Sequence, residues 1–287
     1  MKLPVIIRSF QKNADRISFS YEKFKNITVK AIDSVFNIST HIIVVINADK
    51  SNIHSEKICK TWGTTPSETY INRYYTPPSM YKSVHPINCT NWGRNIGSAT
   101  ALNEGLEKIK CLNDNSRYVL ILSPELKIEE FLIDEAIEKI TSQDLDVVGF
   151  YRECWGDHAS WQVPQNTGAI WKVDSLMNVG GFAEECNGDG KTIQLDDKTK
   201  SPIAGMEDYH AMIRMMNDNQ DFKWGMVGEY NPVKWDVDFR DPVQIRKINR
   251  QGSIMKHWAI TLLKPHQSVK TECILGYNLK RFRESKV

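Results

Sequence analysis

Four short apolar runs, each followed by polar residues, constrain the fold of this chain more than any other feature. The runs are PVIIRS at 4–9, HIIVVIN at 41–47, YVLIL at 118–122 and DVVGFY at 146–151. Short apolar runs bounded by turn residues are typical of strands that are buried on both faces of a sheet. Segments with helical spacing separate the runs, so the sequence predicts an α/β fold with a parallel sheet.

The helices between these runs are predicted from residue spacing and from end signals. A helix over 95–109 is indicated by four apolar residues on one face, namely Ala99, Leu102, Leu106 and Ile109. Residues 70–88 are rich in Tyr, Pro and Ser and are expected to form a loop with a short strand. Further helices are predicted before Phe36, over 129–140, up to the glycines at 180–181, and from Glu207 onward.

The charge balance and the cysteine pattern exclude several classes of protein. The chain has 37 basic and 35 acidic residues, and its net charge of +2 does not favour nucleic-acid binding. No apolar run approaches the ~20 residues of a membrane span, and the N-terminal run is too short for a signal peptide. The six cysteines include no CxxC pair, so we expect reduced thiols and a cytoplasmic protein.

Polar residues follow the apolar runs at the predicted strand ends. In an open parallel sheet, ligands bind at the carboxyl ends of the strands, so these residues are candidate ligand contacts. After YVLIL the chain continues with Ser123, Pro124 and Glu125. Glu125 is either a ligand or metal contact, or a solvated acid in a turn that Pro124 begins. The residues alone leave both interpretations open.

Six sequence motifs, taken in order, resemble those of the GT-A glycosyltransferases of family 2. They extend over roughly residues 3–235 and comprise VIIRSFQKN, VVINAD, NIGSATALNEG, LILSPEL, GGFAEE and GMED. The resemblance implies one GT-A domain over 1–265, with a mixed, mainly parallel sheet flanked by helices, and a basic tail at 266–287. Residues 1–127 would form its nucleotide-binding half and residues 128–265 its acceptor half.

The resemblance also implies an activity, which is transfer of a sugar from a nucleotide-diphosphate sugar to a hydroxyl acceptor. The expected transfer is inverting and would serve glycan or polysaccharide biosynthesis. Two of the implied donor contacts could instead have a purely structural role, since Arg8 could form a salt bridge and Asn95 could cap a helix. Arg94 could bind phosphate through two parallel hydrogen bonds from its guanidinium group. The implied donor-binding residues are Arg8, Ser9, Asn47, Asp49, Arg94, Asn95, Ser123 and Glu125.

A divalent metal is implied as well, although the acidic motif is incomplete. The family ends this strand in two carboxylates, two residues apart, which hold the cation against the diphosphate. Here Ser123 stands in the first position and Glu125 in the second. One carboxylate together with phosphate oxygens suits Mg²⁺ or Mn²⁺, so Glu125 is the predicted metal contact. A metal-independent enzyme would instead use cations such as Arg94 and Lys127.

The resemblance places the general base and the acceptor site in the second half of the chain. The base would be Asp208 or Glu207, although two acids in a first helical turn also occur because the dipole favours them. The acceptor site is assigned to Trp155, His158 and Trp161, whose rings can stack on sugars and bind hydroxyls. Both tryptophans could instead belong to the core.

Two other protein classes share this fold. A non-catalytic glycan- or nucleotide-binding protein is suggested by Ser123, whereas the intact acids at Asp49, Glu207 and Asp208 favour an enzyme. A sugar-phosphate nucleotidyltransferase would need a glycine-rich loop after the first strand, and RSFQKNADR contains no glycine. The basic tail either lies on an anionic membrane surface or is a solvated end.

Overall fold

The computed structural model describes the greater part of the chain up to residue 235. The described segments are 1–11, 21–48, 84–89, 98–112, 114–152, 163–186, 192–194, 200–202, 205–219, 221–229 and 233–235. The predictions for the basic tail at 266–287 therefore lie outside the described residues.

Seven strands form one sheet, in the order β10-β6-β7-β4-β1-β2-β3. Two further pairs, β5 with β11 and β8 with β9, lie outside it. The strands are β1 (Leu3–Gln11), β2 (Ser39–Ala48), β3 (Val84–Cys89), β4 (Tyr118–Leu122), β5 (Leu126–Lys127), β6 (Val147–Phe150), β7 (Gly168–Lys172), β8 (Thr192–Gln194), β9 (Lys200–Pro202), β10 (Trp224–Val227) and β11 (Lys234–Trp235).

The sheet is mixed and mainly parallel, which confirms the fold expected from the motifs. Strand β1 pairs in parallel with β2 and β4, strand β2 with β3, and strand β6 with β10. Strand β7 lies between β4 and β6 and is antiparallel to both. The four predicted strands are all present, and β3 lies in the Tyr- and Pro-rich segment where a short strand was expected.

Five α-helices in the described segments flank the sheet. They are α1 (Tyr21–Val35), α2 (Ser98–Cys111), α3 (Glu130–Ser142), α4 (Val173–Asn178) and α5 (Glu207–Asp218), with short 3-10 helices at Phe36–Ile38 and Glu184–Cys186. Gly180 and Gly181 follow α4 with φ of 82° and 78°, the left-handed backbone that glycine adopts readily. Within the segments that the structure covers, none of the helices combines the length and apolar character needed to cross a membrane.

The core has two layers because the central strands are buried on both faces. In β2, Ile42 and Val44 belong to the core cluster that includes residues of α1 and α3, whereas Ile43 and Val45 belong to the cluster that includes residues of α2 and α5. Side chains of successive strand residues point to opposite faces, so only a continuous apolar run can serve both layers. The apolar runs in the sequence are therefore explained by helices on both sides of the sheet.

Two of the sequence motifs are explained by a direct contact between α2 and the segment after α4. The Asn103 amide donates to the Phe182 carbonyl at 3.0 Å and accepts from the Phe182 N–H at 2.8 Å. A Cβ atom at Gly181 would lie 2.6 Å from Oδ1 of Asn103, so glycine permits this approach. A Cβ atom at Gly105 would lie 2.8 Å from Ile6, so the other motif glycine lets α2 pack on β1. These motif residues therefore hold α2 against β1 and against the segment that follows α4.

The strand directions bring several strand ends to one edge of the sheet. The parallel strands β1, β2, β4, β6 and β10 all end at this edge, which we call the carboxyl edge. Because β7 runs in the opposite direction, it begins there. The residues just after β4 and β6 and those just before β7 are consequently neighbours at the edge where an open sheet binds ligands.

Candidate active site

One turn, formed by residues 165–168, connects the end of β4 with the start of α5. The N–H of Ser123, directly after β4, donates to the Thr167 carbonyl at 2.9 Å. The N–H of Asn166 donates to Oδ2 of Asp208 at 2.9 Å. The predicted donor-side residue Ser123 and the predicted base Asp208 are thus joined through two consecutive residues of the same turn.

Asp208 is a buried acid whose pKa is raised above that of a surface carboxyl group. Its side chain is 7% exposed. Burial, and then the negative charge of Glu207, raise the pKa of Asp208 to about 7. The N–H groups of Asn166 and Tyr209 oppose this rise because they stabilise the ionised carboxylate, and the Tyr209 N–H lies 2.8 Å from Oδ1. At neutral pH the carboxyl group can therefore both accept and release a proton.

Glu207 precedes Asp208 at the start of α5 and is equally buried. It is 4% exposed, and its Oε2 has no hydrogen-bond partner in the part of the chain that the structure describes. Buried carboxylate oxygens are ordinarily hydrogen-bonded. The sequence left open whether these two acids are catalytic or are simply favoured by the helix dipole. Both are buried, and within the described segments Oε2 of Glu207 remains without a hydrogen-bond partner.

A second chain of contacts supports the same turn from the side of β6. The Arg152 guanidinium, just after β6, donates to Oε1 of Gln165, and Nε2 of Gln165 donates to the Tyr209 hydroxyl at 3.5 Å. Burial, and then the charge of Asp208, raise the pKa of Tyr209 well above its usual value, so the phenol stays protonated. A cation, an amide and a neutral phenol therefore form a hydrogen-bonded chain that connects the end of β6 with the residue after the predicted base.

Ser123 and Glu125 contact each other at the end of β4. The Ser123 hydroxyl donates to Oε2 of Glu125, and Ser123 is buried whereas Glu125 is half-buried. No group of three or more His, Cys, Asp or Glu side chains able to hold a metal occurs within the described segments. One carboxylate suits Mg²⁺ or Mn²⁺ only when a diphosphate supplies further oxygens. The donor set thus fits a metal that binds together with a nucleotide.

Comparison with known proteins gives structural matches only. No family model matches the chain, and no curated protein sequence matches it. Solved structures match in backbone fold. One is S. aureus TarS, which matches with a TM-score of 0.52 at 13% identity, and the match covers 98% of this chain and 43% of TarS. TarS residues 1–349 in complex with UDP match with a TM-score of 0.51 at 12% identity, covering 92% of this chain and 66% of that one.

A third solved structure comes from a different protein. Glucosyl-3-phosphoglycerate synthase from Mycobacterium tuberculosis, bound to Mn²⁺, UDP and glucosyl-3-phosphoglycerate, matches with a TM-score of 0.50 at 9% identity. The match covers 90% of this chain and 80% of the synthase, whereas less than two thirds of either TarS chain is spanned. This chain has the GT-A fold. At such low identities the likeness concerns the fold.

The GT-A fold places three of the predicted donor-binding residues on adjacent strands at the carboxyl edge. Arg8 is half-buried on β1 and lies opposite Val45 of β2. The backbones of Ser9 and Asn47 lie near the ends of the same two strands, although their side chains are outside the description. The remaining predicted residues, Asp49, Arg94, Asn95, Trp155, His158 and Trp161, lie outside the described residues.

Lys127, the alternative phosphate-binding cation, forms an exposed ion pair. Its Nζ lies 3.2 Å from Oε1 of Glu129, and both side chains are exposed. Phosphate binding by Lys127 therefore stays a prediction.

Sequence reasoning missed three residues of the candidate site, namely Arg152, Gln165 and Asn166. A signal for Arg152 was present, because it directly follows the apolar run at 146–151 as the other candidates follow theirs. No such signal marked Gln165 and Asn166, which precede a strand. They reach the carboxyl edge only because β7 runs antiparallel to its neighbours.

Proposed function

We propose that this chain is a glycosyltransferase that moves a sugar from a nucleotide-diphosphate donor to a hydroxyl acceptor with inversion. The observation that carries the proposal is a buried carboxyl group, Asp208, with a pKa of about 7 at the carboxyl edge of a GT-A fold. A general base works best when its pKa lies near the operating pH. Helix N-termini ordinarily lower the pKa of an acid, so burial beside Glu207 is what keeps Asp208 basic.

In the proposed reaction Asp208 takes the proton of the acceptor hydroxyl as that oxygen bonds to the anomeric carbon. The bond between the anomeric carbon and the diphosphate breaks on the opposite face, and its electron pair leaves with the phosphate oxygen. A bound Mg²⁺ or Mn²⁺ would neutralise the charge of the leaving diphosphate. Glu125 is the residue that would hold this ion, together with phosphate oxygens.

A binding protein without catalysis is the second candidate, and one observation favours it. Both oxygens of Asp208 already accept backbone N–H groups, from Asn166 and Tyr209. A carboxylate that serves only to fix the turn would show the same contacts. The two candidates differ in what the loss of the carboxylate does, since a structural role predicts a loss of stability and a catalytic role predicts a loss of turnover.

Turnover of a donor panel separates the two candidates. UDP-sugars come first because UDP is bound in both solved neighbours, and GDP- and dTDP-sugars follow. We expect Asp208→Asn to lower turnover by about 10²–10⁴-fold while donor affinity barely changes, since the base contacts the acceptor. Asp218→Asn, an exposed acid at the end of the same helix, is the matched control and should retain turnover.

Three results would change the assignment. If Glu207→Gln abolishes turnover and Asp208→Asn does not, the base is Glu207. Activity that survives both a chelator and Glu125→Ala would show that Glu125 holds no essential metal. Nucleotide-sugar binding without any hydrolysis or transfer across the panel would establish the binding protein.

A further inference from the structure

Asn166 is a buried side chain without partners at the centre of the candidate site. It is 6% exposed, and neither its Oδ1 nor its Nδ2 has a hydrogen-bond partner among the residues that the structure describes. Buried amides are nearly always hydrogen-bonded, because a donor and an acceptor removed from water without replacement destabilise the fold. The position of this exception, next to Asp208, calls for a specific reason.

The usual reasons for asparagine in a turn do not apply to Asn166. Asparagine favours turns when its side chain bonds to a nearby backbone group or when the backbone is left-handed. The Asn166 side chain makes no such bond. Of the non-glycine residues in the described segments, Asp144 has a positive φ and Asn166 does not. Turn formation therefore does not account for this residue.

The backbone around Asn166, by contrast, forms several hydrogen bonds. The Gly168 N–H donates to the Gln165 carbonyl at 2.9 Å, and the Thr167 carbonyl accepts from Ser123. The N–H of Asn166 itself donates to Asp208. Arg152 further fixes the Gln165 side chain. These bonds hold the backbone of the turn that carries the unsatisfied amide, which lowers the entropy that the turn must lose when a ligand binds.

We propose that the Asn166 amide binds a vicinal diol of the sugar substrate, which rests on the proposed glycosyltransferase function. The planar amide offers one acceptor and two donor hydrogens side by side, and each of two neighbouring hydroxyls can donate or accept. A diol bound there lies beside Asp208, whose Oδ2 accepts the N–H of the same residue. The buried, unpaired Oε2 of Glu207 supplies another acceptor at the start of the same helix.

Three parts of the substrates carry vicinal hydroxyls, and the test distinguishes them. They are the ribose of the nucleotide, the transferred sugar, and a sugar acceptor. Asn166→Leu keeps the branched shape and removes both polar atoms, and Asn178→Ala, an exposed asparagine at the end of α4, is the control. Dissociation constants for UDP and for UDP-glucose are measured for each protein, together with the KM of a hydroxyl acceptor that supports turnover with UDP-glucose.

We expect Asn166→Leu to lose at least about tenfold in one of these constants, the scale of one lost hydrogen bond to a ligand. Weaker binding of UDP assigns the diol to ribose, weaker binding of UDP-glucose alone assigns it to the transferred sugar, and a higher acceptor KM alone assigns it to the acceptor. The melting temperature without ligand should stay equal or rise, because the Asn166 side chain makes no hydrogen bond to any residue in the described segments that the fold would lose.

Two outcomes overturn the inference, and they are distinguishable. A melting temperature that falls in Asn166→Leu, with all three ligand constants unchanged, would show a structural role for Asn166 and leave the proposed function intact. Wild-type protein that binds none of the nucleotide sugars would refute the proposed function and the diol site with it.

Discussion

Asp208 should make the folded protein less stable as the pH rises, and Asp208→Asn should remove this dependence. The ordinary pKa of the group is 3.8, and burial beside Glu207 raises it to about 7 in the folded state. Between these values the folded state binds a proton that the unfolded state has released. The resulting stabilisation is fully present below about pH 3.8 and is lost as the pH rises through about 7.

The magnitude follows from the size of the shift. One pKa unit corresponds to about 1.4 kcal/mol, and about pH 5 lies two units below the folded pKa. Raising the pH from about 5 to about 8 should therefore cost the wild type about 3 kcal/mol through this group. The asparagine variant offers one oxygen instead of two to the N–H groups of Asn166 and Tyr209, which costs about 1–2 kcal/mol at any pH. The variant should be the less stable protein at the lower pH and the more stable one at the higher pH.

Urea denaturation at both pH values, followed by tryptophan fluorescence, measures this crossover. Other groups also titrate in this range, so the informative quantity is the difference between Asp208→Asn and wild type at each pH. Asp218→Asn, whose carboxylate is exposed, should differ from wild type by the same small amount at both. The reasoning fails if the Asp208→Asn difference is also independent of pH, since the Asp208 carboxyl group would then titrate alike in the folded and unfolded states.

Two further predictions concern parts of the fold outside the site. Asn103→Ala removes both hydrogen bonds to the Phe182 backbone and should lower the free energy of unfolding by about 2 kcal/mol, and an unchanged urea midpoint would contradict this. Burial, and then the neighbouring His41, hold the pKa of His85 below its usual 6.5, so its contribution to stability is present above about pH 6.5 and lost as the pH falls. His85→Gln should therefore lose less stability on acidification than wild type, and coincident acid-unfolding curves would refute that expectation.

The strands were predictable from the sequence because burial on both faces requires a continuous run of apolar residues, which can be recognised in a short segment. A strand such as β2 needs apolar residues at every position, and HIIVVIN shows that pattern without reference to the rest of the chain. No local residue pattern indicates whether a strand runs parallel or antiparallel to its neighbours. The antiparallel course of β7 depends on pairing with β4 and β6, which are distant in sequence.

The candidate site was predictable only where its residues coincide with element ends. Glu207 and Asp208 begin α5 as expected, and Ser123 ends β4. The raised pKa of Asp208 was not predictable, because the first turn of a helix is usually exposed and favours ionised acids. Its carboxyl group is buried against other parts of the chain and accepts the N–H of Asn166, which is 42 residues away in sequence. Chemistry that depends on such distant contacts is visible only in the folded chain.

The contrast between two asparagines argues that the unsatisfied groups at the carboxyl edge serve a ligand. Asn103 uses both ends of its amide on Phe182, 79 residues away, so this fold can satisfy an asparagine at long range where stability requires it. Asn166 lies on a hydrogen-bonded turn, and among the described residues neither end of its amide has a partner, nor does Oε2 of Glu207. Tyr118 and Trp171 also bury one unpaired polar atom each, but their large rings bring apolar burial that offsets the loss. An amide brings no such compensation, so its partner is expected to come from outside the chain.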